Sequence, residues 1–232
     1  MLQDYFMKIS RYHFKGIPIL KSLPSDEVKL IYATSKERKV KTNFELFKEG
    51  TFPKRVYILM KGKVKIYQTT AEGNEQIVYI YEPGDIFGYR PILCNEKHPV
   101  SAMSLEDCIL RFMPRSQFEN LLDRSPSLSR ILLKNLSSEF SVWINFITSY
   151  AQYSVKERLA LCLLILAEKY KKSKSSVNSE INLTRKDLAS FSGTSIETIA
   201  RMLTKWKNEK IIITRGRKII IKDVIQLSEL ID

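Results

Sequence analysis

Histidine and cysteine, the side chains most often used to hold metals and to run nucleophilic chemistry, are almost missing here. The 232 residues contain two histidines and three cysteines. Cys94, Cys108 and Cys162 are widely separated, and no pair has the two-residue spacing of a zinc site. Three thiols in one chain do not make the four-thiolate set of an iron–sulfur cluster. Their odd number and wide spacing offer no disulfide framework and suit a reducing compartment. Neither His13 nor His98 sits in a recognisable triad, and no G-x-x-x-x-G-K phosphate loop occurs. An enzyme is therefore not expected. Long apolar runs are missing too: Leu159 to Ala167 is the longest, too short to span a bilayer. The amino-terminal MLQDYFMKISRYHF mixes charges through its apolar residues and is no signal peptide. No membrane partner and a cytoplasmic location are expected.

Acidic residues are also in short supply relative to basic ones, leaving a formal net charge of +13. Such a field favours polyanionic partners and speeds their capture. The excess is densest in residues 156–232, where 16 Lys/Arg stand against 9 Asp/Glu. The hydrophobic fraction of 44% and charged fraction of 27% are ordinary for globular domains. The length suits one large domain or two modest ones.

Within the basic third lies LTRKDLASFSGTSIETIARMLTKWKNEKIIITRGRKIII, Leu183 to Ile221. Thr184 is placed to cap a short helix, with Asp187 three residues on. Gly193 supplies a turn where positive φ costs little. Thr194 then starts a second helix, with Glu197 three residues later. Ile196, Ile199, Met202, Leu203 and Trp206 recur at threes and fours, so one face of that helix packs inward. Its outer face carries Ser195, Glu197, Thr198, Arg201, Thr204 and Lys205. Two helices around a glycine turn, followed by a strand pair with a basic Arg215-Gly216-Arg217 tip, define a winged helix-turn-helix. Double-stranded DNA is the expected partner.

Upstream, residues 1–35 read as helical, broken at Pro18 and Pro24. From Glu37 to Phe112 the texture becomes short strands parted by turns. Phe44 to Phe47 ends at Gly50, Val56 to Met60 at Gly62, Val64 to Gln68 at Gly73, and Ile77 to Tyr81 at Gly84. Such spacing indicates an antiparallel sandwich or roll. Next, Leu133, Leu136, Phe140, Trp143, Ile147 and Tyr150 step alternately by three and four, a heptad seam. Such a seam packs either on its own roll or on a second copy. Ala151 to Ser154 reads as a hinge, with Ser154 and Glu157 forming a capping box for the helix Val155 to Tyr170. KKSKSSVNSE, residues 171–180, reads as a loop.

The stretch VYILMKGKVKIYQTTAEGNEQIVYIYEPGDIFGY resembles the β-roll of the cyclic-nucleotide-binding fold, with Gly50, Gly62, Gly84 and Gly88 at its turns. With the winged helix, nearly the whole chain resembles the Crp/Fnr superfamily of bacterial transcription regulators. The implied fold is α+β: residues 1–125 a sensor roll, 126–153 a dimerisation helix and hinge, and 154–232 the DNA-binding domain. The resemblance implies a homodimer on an inverted-repeat operator, RNA polymerase as a further partner, and an effector acting through the roll. An alternative is a cyclic-nucleotide-binding module acting on a protein partner.

The family motif S-x-E-T-x-x-R reads here Ser195-Ile196-Glu197-Thr198-Ile199-Ala200-Arg201. Glu197 and Arg201 then read bases, Arg201 by a bidentate bond to guanine O6 and N7. A plainer reading pairs the two at i, i+4, or spends Glu197 on a cap. Ile196 stands where cyclic-AMP-responsive members carry a further Arg, so the operator differs from theirs at that base pair. Thr184, Arg185, Lys186, Ser195, Thr198, Arg215, Arg217 and Lys218 are phosphate candidates. In the roll, Gly88-Tyr89-Arg90 and Val100-Ser101 align with the family's effector pocket. The ribose carboxylate is replaced by Tyr89 and the phosphate Arg by Val100. Neither cyclic AMP nor haem nor an iron–sulfur cluster is expected as a cofactor.

Overall fold

The structure is a computed structural model, described here for residues 9–13, 16–171 and 179–231. The chain divides into two compact units, Lys15–Ser138 and Met1–Phe14 with Glu139–Asp232. In the first unit, helices α1 (Ile19–Ser22) and α2 (Ser25–Thr34) precede eight strands. The strands are β1 (Lys36–Val40), β2 (Glu45–Phe47), β3 (Arg55–Lys61), β4 (Val64–Thr69), β5 (Glu75–Tyr81), β6 (Ile86–Phe87), β7 (Ser101–Ser104) and β8 (Cys108–Pro114). They form two sheets, β1-β8-β3-β6 and β2-β7-β4-β5, with every pairing antiparallel. Pro18 and Pro24 stand at the N-caps of α1 and α2, where a missing N–H costs little. Gly62 joins β3 to β4 at φ +93°, and a Cβ there would lie 2.5 Å from Cys108 Sγ. No other residue fits that turn without moving β8.

Alternation along the first sheet separates two apolar layers. Val56, Ile58 and Met113 join Ile31, Phe118, Leu128 and Leu132 of the helices in one buried cluster. Tyr57 and Phe87 belong to the other layer, in a continuous file of rings. His98 stacks on Phe47 at 3.9 Å, Phe47 meets Tyr57 at 5.7 Å, and Tyr57 stacks on Phe87 at 5.3 Å. Phe87 then stacks on Tyr81 at 4.7 Å, and Tyr81 meets Tyr79 edge-on at 5.2 Å. Each such pair adds about 0.5–1.5 kcal/mol beyond the area it buries. The file bridges the sheets, since Phe47, Tyr79 and Tyr81 come from the second and Tyr57 and Phe87 from the first.

After α3 (Arg90–Leu93) and α4 (Arg115–Arg124) comes α5 (Pro126–Gln152), through which the division between units passes. Its apolar residues follow two neighbouring phases, which the heptad reading merged. Leu133, Phe140 and Ile147 are 65%, 67% and 67% exposed and are joined by Ile144, half exposed. Leu136, Trp143 and Tyr150 are instead half-buried. Leu136 packs against the helical cluster of the roll, and Tyr150 donates its hydroxyl to the Phe191 carbonyl. The open stripe is thus Leu133, Phe140, Ile144 and Ile147. A helical turn of 3.6 residues puts positions 136, 143 and 150 to one side of it.

In the second unit α6 (Val155–Lys169) starts at Ser154, whose hydroxyl accepts from the Glu157 N–H while Glu157 bonds back to the Ser154 N–H. Leu159 to Ala167 are buried without interruption, so α6 is the core of this unit. Around it stand α7 (Arg185–Ser192), α8 (Ile196–Asn208), a sheet of β9 (Glu180–Asn182), β10 (Ile212–Arg215) and β11 (Lys218–Ile221) in the order β10-β11-β9, and α9 (Val224–Ser228). Most of the loop expected at 171–180 lies outside the described residues. No helix among the described residues is long and apolar enough to cross a membrane.

Burial holds the pKa of His98 down at about 4, from 6.5. Between those values the unfolded chain binds a proton that the folded chain refuses, so stability falls as the pH falls from 6.5 towards 4. Above 6.5 the ring is neutral in both states and contributes nothing to the slope. Denaturant midpoints at pH 7.5 and 5 should drop more for the parent than for His98→Phe, which keeps a ring on Phe47. Equal drops would show that His98 takes its proton at no cost.

Candidate nucleic-acid interface

Thr184 Oγ1 accepts from the Asp187 N–H at 3.0 Å and donates to Asp187 Oδ2 at 2.6 Å, starting α7. The helix ends at Gly193 in the left-handed region, φ 64° and ψ 50°, a conformation that penalises any Cβ. Thr194, expected to begin the next helix, instead donates its N–H to the Ala189 carbonyl and belongs to the turn. Ser195 is the cap of α8 and accepts from the Thr198 N–H at 3.2 Å.

Ile199, Leu203 and Trp206 bury the inner side of α8, while Met202 is half-buried. Ile196, expected to face inward, is 45% exposed. It lies on the first turn, ahead of the packed residues, where its side chain is available to a groove. Glu197, Ala200, Arg201, Thr204 and Lys205 form the open face. Bonds from its own amide and the Ser195 hydroxyl hold the Glu197 carboxyl below the usual range. No ion pair joins Glu197 to Arg201, so Arg201 carries its five donors outward.

The turn is held from below. Arg158 donates to the carbonyls of Ser192 (3.0 Å), Gly193 (3.1 Å) and Tyr153 (3.2 Å), while Tyr150 binds the Phe191 carbonyl. The guanidinium also lies 5.6 Å from the Tyr150 ring centre. Together these two side chains take up the carbonyls that α7 leaves free at its end.

The phosphate candidates divide. Arg215 and Arg217 are exposed at the β10–β11 tip, flanking Gly216. Lys186 is exposed at the start of α7. Lys218 is instead spent on Glu180 of β9 at 2.7 Å. Arg185 is half-buried and donates to the Gly216 carbonyl at 3.4 Å, bracing the wing. The hydroxyls of Thr184, Ser195 and Thr198 are engaged in their own caps, the last two at 3.1 Å from each other. Among the described residues, the sequence-distant Lys156 adds to this set. It joins Arg201, Lys205, Thr194 and Thr198 around a groove of about 460 Å³ beside α8. Nothing local marks it, because α6 and α8 meet only through tertiary packing.

The five effector-pocket candidates occupy different surroundings. Tyr89 is 1% exposed and faces the helical cluster, 6.4 Å from Phe118, where burial pushes its pKa up to about 12. Arg90 is half-buried beside Tyr81 and Tyr89. Ser101 is buried and accepts from the Glu49 N–H at 3.0 Å, and Val100 is half-buried. Gly88 turns the chain at φ +79° against Tyr57.

A two-sheet roll followed by a winged helix-turn-helix with an open basic face defines a DNA-binding regulator of the cyclic-nucleotide-fold class. Residues 37–125 match the cyclic nucleotide-binding domain and residues 157–230 the Crp-like helix-turn-helix domain. The chain is 30% identical over 186 residues, 80% of this chain and 72% of the relative, to the anaerobic regulatory protein of Haemophilus influenzae. It is 27% identical over 196 residues, 84% of this chain and 78% of the relative, to the fumarate and nitrate reduction regulatory protein of Vibrio cholerae. The solved structure of FixK2 from Bradyrhizobium japonicum superposes with a TM-score of 0.76 at 22% identity, covering 85% of this chain and 98% of that one. The chain belongs to the Crp/Fnr family of transcription regulators and is not an enzyme.

Removing the Arg158 head group leaves three carbonyls short of a charged donor, each such bond being worth roughly 1.5–3 kcal/mol. Arg158→Ala should therefore destabilise the chain by at least about 2 kcal/mol in urea unfolding followed at Trp206. Arg158→Lys should recover only part, since an ammonium lacks the planar fork. A variant as stable as the parent would show that the turn holds itself.

Proposed function

We propose that the chain acts as a homodimer on an inverted-repeat operator, with α8 of each copy in a major groove. The carrying observation is the open face of α8, with Glu197 and Arg201 exposed on it and not paired with each other, and three apolar residues beneath. Arg201 reads guanine, Glu197 accepts from cytosine N4, and Ile196 makes an apolar contact of its own. Arg215, Arg217, Lys186 and Lys156 meet phosphates, which set register rather than sequence. The open stripe Leu133, Phe140, Ile144 and Ile147 supports the dimer, since so many exposed apolar side chains in line mark an interface. Such a regulator works in the cytoplasm, with RNA polymerase as its further partner.

We also infer that cyclic AMP is not the effector. A buried cyclic phosphate needs a cation and donors to offset its lost hydration. Val100 supplies neither, and Tyr89, at the ribose position, is committed to the helical cluster. Haem and an iron–sulfur cluster are likewise not part of this reading. Cys108 and Cys162 are buried, with their thiol pKa values pushed up by burial, which disfavours thiolate ligation.

Arg201→Ala should cost about 1–3 kcal/mol against the cognate base pair and relax specificity there. Arg217→Ala should weaken all sequences alike and lower the salt slope by about one. Binding isotherms on operator and scrambled duplexes at several salt concentrations separate the two. An Arg201→Ala protein that discriminates as well as the parent would refute the readout role. Phe140→Glu and Ile147→Glu put like charges face to face in the stripe, so sedimentation should show monomers that have lost operator binding while circular dichroism stays unchanged. A dimer that survives both changes would place the interface elsewhere.

A further inference from the structure

We propose that the roll binds a small organic anion, a carboxylate or phosphomonoester on a flat apolar body, in a cleft between β1, β8 and β3 on one side and β2 on the other. The cleft has a volume of about 340 Å³, within the roughly 300–1,000 Å³ range of small-molecule sites. Its floor is Val40, Tyr57, His98 and Leu110, all buried. Burial keeps His98 uncharged at neutral pH, so the floor is apolar and the charge sits at the rim.

The rim carries Arg38, Lys48, Lys54 and Arg55, with Glu45 as the single acid. Among the described residues none of these four cations has an ion-pair partner. Four like charges crowded around one opening repel each other and gain from a counter-charge. Both guanidiniums are braced on aromatic faces, Arg38 4.9 Å from the Phe44 centroid and Arg55 5.2 Å from the Phe112 centroid. A ring beside each guanidinium restrains it, and its planar fork suits two-pronged recognition of carboxylate or phosphate. Phe52 lines the mouth and is 56% exposed, with the Lys97 ammonium 5.6 Å from its ring centre. Cations above an apolar floor, with an exposed ring and a further ammonium at the mouth, match an anion whose flat body lies inside.

This cleft contains none of Gly88, Tyr89, Arg90, Val100 or Ser101. It therefore does not reuse the positions that the family resemblance assigns to a nucleotide. The inference does not rest on the DNA reading, because ligand binding is measured on the free protein.

Calorimetry on the full chain would use benzoate and phenyl phosphate as probes, with inorganic phosphate and benzyl alcohol as the charge-only and body-only controls. At least one aromatic anion should bind at one site per chain with a dissociation constant of about a millimolar or tighter. Each control should bind at least about tenfold more weakly. Arg38→Gln or Arg55→Gln should weaken the aromatic anion by about tenfold with the thermal midpoint unchanged. Should either substitution unfold the roll, Lys48→Gln at the exposed rim serves instead, with a smaller loss expected. Equal binding of inorganic phosphate would reduce the cleft to a bare charge cluster, and equal binding of benzyl alcohol to an apolar hole. Absence of saturable binding, or binding indifferent to all three substitutions, overturns the proposal. So does binding only of an acidic peptide bearing phenylalanine, which would indicate a protein partner.

Discussion

Burial of Ile199, Leu203 and Trp206 fixes the rotation of α8 about its own axis, and the rest of the DNA-binding unit is arranged around that fact. A helix turns about 100° per residue, so three anchored positions leave no freedom over which side chains face out. Trp206 alone buries a large ring, and its neighbours seat the helix on an apolar core built from α6. The consequence is chemical: Glu197 and Arg201 are delivered to solvent without an ion pair between them. A base edge thus meets groups that need not first break a bond with each other.

The carbonyls at the end of α7 impose a second constraint. A turn tight enough to set two helices at an angle leaves backbone acceptors exposed at the corner, and those acceptors need donors. Arg158 and Tyr150 supply them from α6 and α5. Tyr150 is thereby a side chain of the long helix that touches the reading head directly. Its helix also carries the exposed apolar residues Phe140, Ile144 and Ile147.

In the roll, the two layers created by strand alternation have different contents. The helical side is aliphatic with Tyr89 and Phe118, whereas the side between the sheets is a file of rings from His98 to Tyr79. Rings of that size fill space that smaller residues would leave open. The unfilled volume lies instead at the β1–β2 end, where Arg38 and Arg55 stand over aromatic faces.

Local chemistry by itself determined the order of elements, the strand-and-turn texture, both helix caps at Thr184 and Ser154, the turn at Gly193 and the outward placement of Arg201. Each of these follows from residues within one or two helical turns of each other, where periodicity and capping act. Tertiary packing alone decided the rest. Lys218 looked free until β9 brought Glu180 beside it, and only the packed structure shows Tyr89 buried in the helical cluster. The apolar steps of α5 divided into an open stripe and a covered one because only one side of a helix can meet its own chain. The cleft at Arg38 draws on residues from 38 to 112, and no spacing in the sequence relates them. Which charges remain unpaired, and which hollow stays unfilled, depends on distances between strands far apart in the chain.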